Sequence, residues 1–222
     1  MTRSRPGVLL DVDGTLVDTN YLHTVAWSRG FADLGEWVPM HAIHRLVGMG
    51  GDQLVEELLG GPREGASDAW RRRYDELLGD VRAFPGAADL VRGLRDLGLV
   101  VVAATSSPAD LLDRHLEIAG IADLFDAVVT ADDVSNAKPD PAVFLTAMDR
   151  ASIDPRRAIA VGDATWDVRA ARAAGIACIG LETGGFSRHE LSEDGAIAVY
   201  RDPAELAAQL LTSPVALLAD LS

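Results

Sequence analysis

The stretch Val8-Leu9-Leu10-Asp11-Val12-Asp13-Gly14-Thr15-Leu16-Val17-Asp18 decides how the rest of the chain is read. Three apolar residues read as a short buried strand, and two carboxylates, two positions apart, follow it at once. Gly14 and Thr15 then let the backbone turn away. Two acids at the end of a buried strand are costly unless a cation neutralises them, and hard carboxylate oxygens suit magnesium. Taken alone, the same pattern is equally a strand ending in a solvated turn, because Asp is a common turn residue. The sequence around it separates the two readings.

Working outward, residues 18–82 carry a helical pattern. Apolar residues recur at three-to-four spacing over 21–34, 40–47, 52–59 and 67–78. Gly35, the loop Gly48-Met49-Gly50-Gly51 and Gly60-Gly61-Pro62 separate these segments. From Phe84-Pro85-Gly86 onward strands and helices alternate. Strands are expected at 99–104, 127–130, 158–161, 177–181 and 197–200, and helices at 87–97, 109–119, 141–151, 167–174 and 203–211. Continuous apolar strands separated by amphipathic helices predict a parallel sheet covered on both faces. The fold class is therefore α/β, a doubly wound, Rossmann-like core. Residues 1–17 and 83–222 form that core, with 8–10 as its sixth strand, and 18–82 form a four-helix insert.

Composition narrows the function. The chain has 222 residues, 48% of them hydrophobic, enough for a substantial core. A net charge of −14 repels polyanions, which argues against nucleic acid as a partner. Cys178 is the only cysteine and sits in an apolar run, where it reads as a buried inert thiol. No apolar stretch approaches the ~18–20 residues that span a bilayer. The basic opening, residues 1–6, runs straight into the first strand with no cleavable apolar region. A cytoplasmic protein in a reducing compartment, without a membrane partner, is expected. Lys138 is also the only lysine; every other position counted as Lys or Arg is arginine. Where arginine is so favoured, a single lysine suggests a site that arginine cannot fill.

Four polar sets follow four of the predicted strands. Asp11 and Asp13 follow the first, and Thr105-Ser106-Ser107 the second. Lys138-Pro139-Asp140-Pro141 lies beyond the third, and Gly162-Asp163-Ala164-Thr165-Trp166-Asp167 follows the fourth. In a parallel sheet these ends share one edge, where ligands bind. Together they supply acids for a metal, a hydroxyl donor, one cation and several helix N-termini, as phosphoryl transfer requires. Each set also has a plainer reading. Ser107-Pro108 reads as an N-cap followed by proline at the first helical position, and Asp140-Pro141 as another helix start. Asp163 and Asp167 also suit a helix N-terminus.

The joint pattern resembles the haloacid-dehalogenase-like hydrolase superfamily, in its phosphoglycolate phosphatase and β-phosphoglucomutase-like branch. The resemblance is carried by Asp11-Val12-Asp13-Gly14-Thr15, Thr105, Lys138-Pro139 and Gly162-Asp163 with Asp167, in the family's order, and it spans essentially the whole chain. It implies that the insert is a type-1 cap. It also implies that Asp11 is the nucleophile and that Asp13 gives and takes the proton. Thr105 and Lys138 would hold phosphate oxygens. Magnesium would sit on Asp11, Asp163 and the backbone carbonyl of Asp13, with Asp167 orienting its waters or Lys138. Gly14, Thr15 and Ser106 would face the phosphate, and His23, Gly50 and Gly51 the remainder of a small phosphorylated metabolite. The resemblance leaves that metabolite and the oligomeric state undefined.

Within the superfamily, members that expel halide or cleave carbon–phosphorus bonds lack an acid at the position of Asp13. The intact pair favours oxygen–phosphorus chemistry, hence a phosphatase. A sugar phosphomutase is the alternative. Its usual arginine is missing from the 48–54 loop, but Arg45 and Arg63 flank that loop and could stand in. A catalytically idle binding protein on the same fold is the remaining reading, since fold does not fix function. Trp27 reads as helix packing. His41 with His44, and Arg71-Arg72-Arg73, read as solvated helix faces, the arginines offset by Asp75 and Glu76.

Overall fold

The structure is a computed structural model that describes residues 5–219, so most of the basic opening segment lies outside the described residues. Six parallel strands form the main sheet: β1 (Arg5–Leu10), β4 (Val100–Ala104), β5 (Ala127–Val129), β6 (Ile153–Gly162), β7 (Ala177–Leu181) and β8 (Ala198–Tyr200). Their order is β5-β4-β1-β6-β7-β8. The chain enters at β1, winds outward on one side and returns to wind outward on the other. That reversal opens a crevice beyond the carboxyl ends of β4, β1 and β6.

Alternation along the strands builds two cores. Val8, Leu10, Val101 and Ala103 point to one face, joined there by Leu90, Leu94, Leu112 and Leu206. These come from helices α5 (Ala87–Asp96), α6 (Ala109–Ala119) and α10 (Pro203–Ala208). Leu9, Val100, Val102 and Ala104 point to the other face, against Phe144, Val168 and Leu191. Those belong to α7 (Ala142–Arg150), α8 (Thr165–Ala173) and α9 (Arg188–Asp194). Periodicity did not announce α9, but a capping box does. Ser187 accepts from the Glu190 amide, and the Glu190 carboxylate accepts from Ser187. The strand expected at 158–161 extends back to Ile153 because Ile153 still pairs with Arg5 through a half-exposed stretch.

Two residues on each side of the insert pair as a small antiparallel ribbon, β2 (Val17–Asp18) with β3 (Arg82–Ala83), where the sequence pattern showed no strand. Between them lie α1 (Asn20–Asp33), α2 (Met40–Leu46), α3 (Gly51–Leu59) and α4 (Ala66–Asp75), the four helices expected. They share an apolar cluster of Trp27, Phe31, Val38, Ile43, Leu54, Val55 and Ala66. Trp27 stacks on Phe31 and Trp70 as packing predicted. His44, expected on a solvated face, instead stacks on Tyr21 and reaches the carbonyl of Gly184 at 3.0 Å, joining the insert to the sheet side. Arg71 pairs with Asp75, as spacing suggested, and also with Asp110 on α6. Cys178 is a free buried thiol whose pKa burial pushes well up. No helix among the described residues is long and apolar enough to cross a membrane.

Candidate active site

Register places the acids. Leu10 stands opposite Val161, so Asp11 and Asp163 leave neighbouring strands on the same edge. The Asp11 amide still donates to the Val161 carbonyl at 2.9 Å, fixing its backbone, and the residue is only 5% exposed. Lys138, on the loop before α7, is 1% exposed. Its Nζ lies 2.5 Å from Asp11 Oδ1 and 2.8 Å from Asp167 Oδ1, and donates to the Ala104 carbonyl at 2.9 Å. The Lys138–Pro139 peptide is cis. Asp140 accepts from the Ala142 amide and serves the start of α7 as expected, which leaves Lys138 outside the helix.

Asp11, Asp163 and Asp167 present carboxylate oxygens within 4.8 Å of one another. With Lys138 as the only cation paired with them among the described residues, the four side chains carry two negative charges in excess when ionised. Burial and the surrounding carboxylates push Asp11 up despite Lys138. Burial and Asp167 push Asp163 up to about 7. Asp11 and Asp167 outweigh the burial of Lys138 and raise it further, so the ammonium stays charged. Buried, proton-retaining carboxylates with excess negative charge and hard oxygen donors fit a divalent cation such as magnesium. Two glycines make room for the Asp163 carboxylate. A Cβ on Gly184 would stand 1.9 Å from Asp163 Oδ2, and one on Gly14, whose φ is +76°, would stand 2.4 Å from it.

Thr15 and Gly14 lie against Asp163 and not on the cavity wall. The Thr15 hydroxyl donates to Asp163 Oδ1 at 2.8 Å, and Asn20, which sequence reasoning passed over, donates Nδ2 to Oδ2 at 2.7 Å. Asp167 Oδ2 accepts from the Ala164 amide, so it caps α8 as well as pairing with Lys138.

Asp13 sits in a separate polar nest. Its Oδ1 accepts from Thr19 Oγ1 at 2.9 Å, and lies 3.2 Å from His23 Nε2 and 3.0 Å from His115 Nδ1. Its Oδ2 accepts from Ser107 Oγ at 2.7 Å and Thr105 Oγ1 at 3.3 Å. Burial pushes this carboxyl up, but His115 and His23 outweigh it and hold the pKa well below the ordinary range. Ser107 is therefore not the helix cap that Ser107-Pro108 suggested. Pro108 itself occupies the N-cap, the Asp132 carboxylate accepts from the Ala109 amide, and the Ser107 hydroxyl is free for Asp13. His115 was also missed. Its signal was its place on the inward stripe of α6 with Leu111, Leu112 and Leu116.

Asp11 and Asp13 open onto a cavity of about 550 Å³, while Lys138, Asp163 and Asp167 lie behind its lining. Asp11, Asp13, Thr105 and Ser106 form its floor, and His23, Trp27, Trp70 and the 48–54 loop, including Gly50 and Gly51, its walls and roof. Lining groups Ser106 Oγ, Gln53 Oε1 and Trp70 Nε1 are buried without a hydrogen-bond partner among the described residues. Among the described residues, no arginine lines the cavity. Arg45 turns away to Glu190 at 2.6 Å and lies over the Phe186 ring, while Arg63 holds Glu36 and the Leu34 carbonyl.

Known proteins resemble this chain. A family model for haloacid dehalogenase-like hydrolases matches residues 6–175. A phosphoglycolate phosphatase of Nitrosospira multiformis is 34% identical over 76% of this chain and 79% of its own length. A validoxylamine A 7'-phosphate phosphatase of Streptomyces hygroscopicus is 32% identical, over 79% of this chain and 84% of its own. The crystal structure of a hydrolase from Pseudomonas syringae superposes with a TM-score of 0.88 at 33% identity, covering 93% of this chain and 98% of that one. On the match across most of its length and on these relatives, this chain belongs to the haloacid dehalogenase-like hydrolase family.

Proposed function

We propose that this phosphoric monoester hydrolase moves the phosphoryl group of a small phosphorylated metabolite onto Asp11 and then releases it to water. The observation that carries the reading is the placing of two carboxylates in opposed environments on one cavity floor. Asp11 lies beside the only lysine and two further acids, and Asp13 lies two residues away in a nest of donors.

Asp11 attacks phosphorus through one carboxylate oxygen as the bond to the leaving oxygen breaks. Asp13 gives that oxygen its proton, then takes one from the water that attacks the aspartyl-phosphate and restores the Asp11 carboxylate. The nest favours the ionised Asp13 of the second step; a dianionic phosphate nearby favours the protonated form of the first. Lys138 and Thr105 hold phosphate oxygens and balance developing charge, and Ser106 offers a further hydroxyl at the floor. Asp11, Asp163 and the Asp13 carbonyl would hold magnesium, with Asp167 fixing Lys138 beside it. The metal supplies positive charge that lessens repulsion between nucleophile and phosphate. Residues 18–82 act as a cap over a core of 1–17 and 83–222, and contribute His23, Gly50 and Gly51 to the substrate's far side.

A phosphatase is favoured over a phosphomutase because both arginines that could grip a second phosphate are engaged outside the cavity. The unpartnered Gln53, Trp70 and Ser106 groups suit a neutral, hydroxyl-bearing leaving group. Purified protein is expected to release phosphate from p-nitrophenyl phosphate with magnesium, and Asp11→Asn to abolish it. A wild type without turnover on any phosphomonoester overturns the reading.

A further inference from the structure

Asp13 has one contact that phosphoryl transfer does not by itself require. His115, fully buried on α6, faces Asp13 with one ring nitrogen and the insert with the other. Nδ1 is 3.0 Å from Asp13 Oδ1, and Nε2 is 2.9 Å from the hydroxyl of Tyr74. Tyr74 belongs to α4 and is also fully buried, in a small cluster with Ala26 and Leu111. Outside this cluster α4 and α6 are joined by Arg71 with Asp110 at 2.5 Å and Arg114 with Asp75 at 3.2 Å.

The chemistry of the ring gives the chain of contacts a direction. Asp13 as a carboxylate only accepts, which favours a proton on Nδ1; that nitrogen lies beside Oδ1 at ion-pair distance but makes no hydrogen bond, while Nε2 is bonded to the Tyr74 hydroxyl. A buried imidazole whose second nitrogen is bonded has its orientation fixed, as in sites where an outer partner orients a ligating histidine. His23 approaches the same Oδ1 from α1, but its ring is stacked against Tyr74 at 4.3 Å between centroids. Tyr74 thus touches both histidines that flank Asp13.

We propose that His115 is a positioning residue for the proton-transferring carboxylate of Asp13, and that Tyr74, reaching in from the insert, fixes its ring. The proposal rests on the aspartyl-phosphate reading above. His115 touches neither substrate nor reacting phosphorus; it restricts where the Asp13 carboxylate sits relative to the leaving oxygen and the attacking water.

Two esters separate this role from a general loss of structure. p-Nitrophenolate leaves without needing a proton, whereas an alkoxide leaving from glycerol phosphate needs one. Because kcat/KM covers only the steps through departure of the leaving group, it isolates proton donation in the first step. In His115→Leu, kcat/KM for glycerol phosphate is expected to fall about 30–100-fold, at or below the ~10²–10⁴-fold worth of the general acid itself, and that for p-nitrophenyl phosphate less than about threefold. With p-nitrophenyl phosphate a nitrophenol burst should precede a slowed steady state, since water attack still needs Asp13. His115→Asn, whose amide can present a donor near Nδ1, should recover much of the loss. Tyr74→Phe should show the same selective loss at smaller size, and these two milder changes keep the test open if His115→Leu folds poorly. Equal losses on both esters across the variants, or no loss on glycerol phosphate, overturn the role of His115. A wild type inactive on both esters overturns the phosphatase reading, and this inference with it.

Discussion

Replacing Lys138 with methionine removes the one cation from a cluster of three buried acids while keeping a side chain of similar length. Its ammonium is 1% exposed and within 2.5 and 2.8 Å of two carboxylates. Breaking a buried ion pair by removing one partner costs about 3–5 kcal/mol. For a chain of this size that corresponds to a fall in Tm of about 6–20 °C. The deficit should depend on pH. Without Lys138, the folded-state pKa values of Asp11 and Asp163 rise further above their unfolded value of 3.8. A carboxyl with a raised folded pKa binds more protons folded than unfolded, so stability falls as pH rises between the two values. The variant should therefore lag the wild type more at pH 8 than at pH 5. Lysine titration does not intrude, because its raised pKa leaves its contribution intact throughout that window.

Activity should fall at least 10²–10³-fold, the scale for losing one preorganised charge in the transition state. Magnesium should bind about tenfold more tightly or better, since a nearby positive charge is gone. Urea denaturation at both pH values, with EDTA and with magnesium, measures all but the activity, which phosphate release supplies. A deficit below about 1 kcal/mol, equal at both pH values and with unchanged magnesium affinity, would refute this account of Lys138.

Burial holds Asp163 near 7 in the metal-free protein, so magnesium must displace a proton below that pH. Apparent magnesium affinity should rise at least about tenfold per pH unit up to about 7, with proton release seen calorimetrically in buffers of different ionisation enthalpy. Gly184→Ala places a Cβ where Asp163 Oδ2 stands, so magnesium affinity should fall about 10–100-fold while circular dichroism stays native. Gln53→Arg would give the cavity the guanidinium it lacks. Comparing kcat/KM for a sugar bisphosphate and the matching monophosphate should show the ratio moving at least about tenfold toward the bisphosphate.

The parts of the fold that rest on repetition were legible in the sequence. The bounds of strand 177–181 are those the sequence predicts, because an unbroken run without a charged residue, four of its five positions buried, fits a strand covered on both faces. The four polar sets were found for the same reason: in a parallel sheet, whatever follows each strand reaches one edge. Contacts made by a single side chain across elements were hidden. His115 is a helix residue like any other until α6 turns it toward Asp13, 102 positions earlier. Asn20 and Asp163 are 143 residues apart, and no local spacing links them. Ser107 was misread because serine before proline is an ordinary helix start, and only the approach of Asp132 from a neighbouring loop frees its hydroxyl. Arg45 and Arg63 flank the cavity in sequence, yet Glu190 and Glu36 draw them away from it.

The central claim is that Asp11 carries the phosphoryl group. Rapid acid quench during turnover of a phosphomonoester, followed by peptide mass spectrometry, measures it directly. One phosphoryl group is expected on the peptide containing Asp11, appearing before phosphate release and absent from Asp11→Asn. Steady turnover by the wild type with no phosphorylated Asp11, or phosphate release persisting in Asp11→Asn, would contradict it.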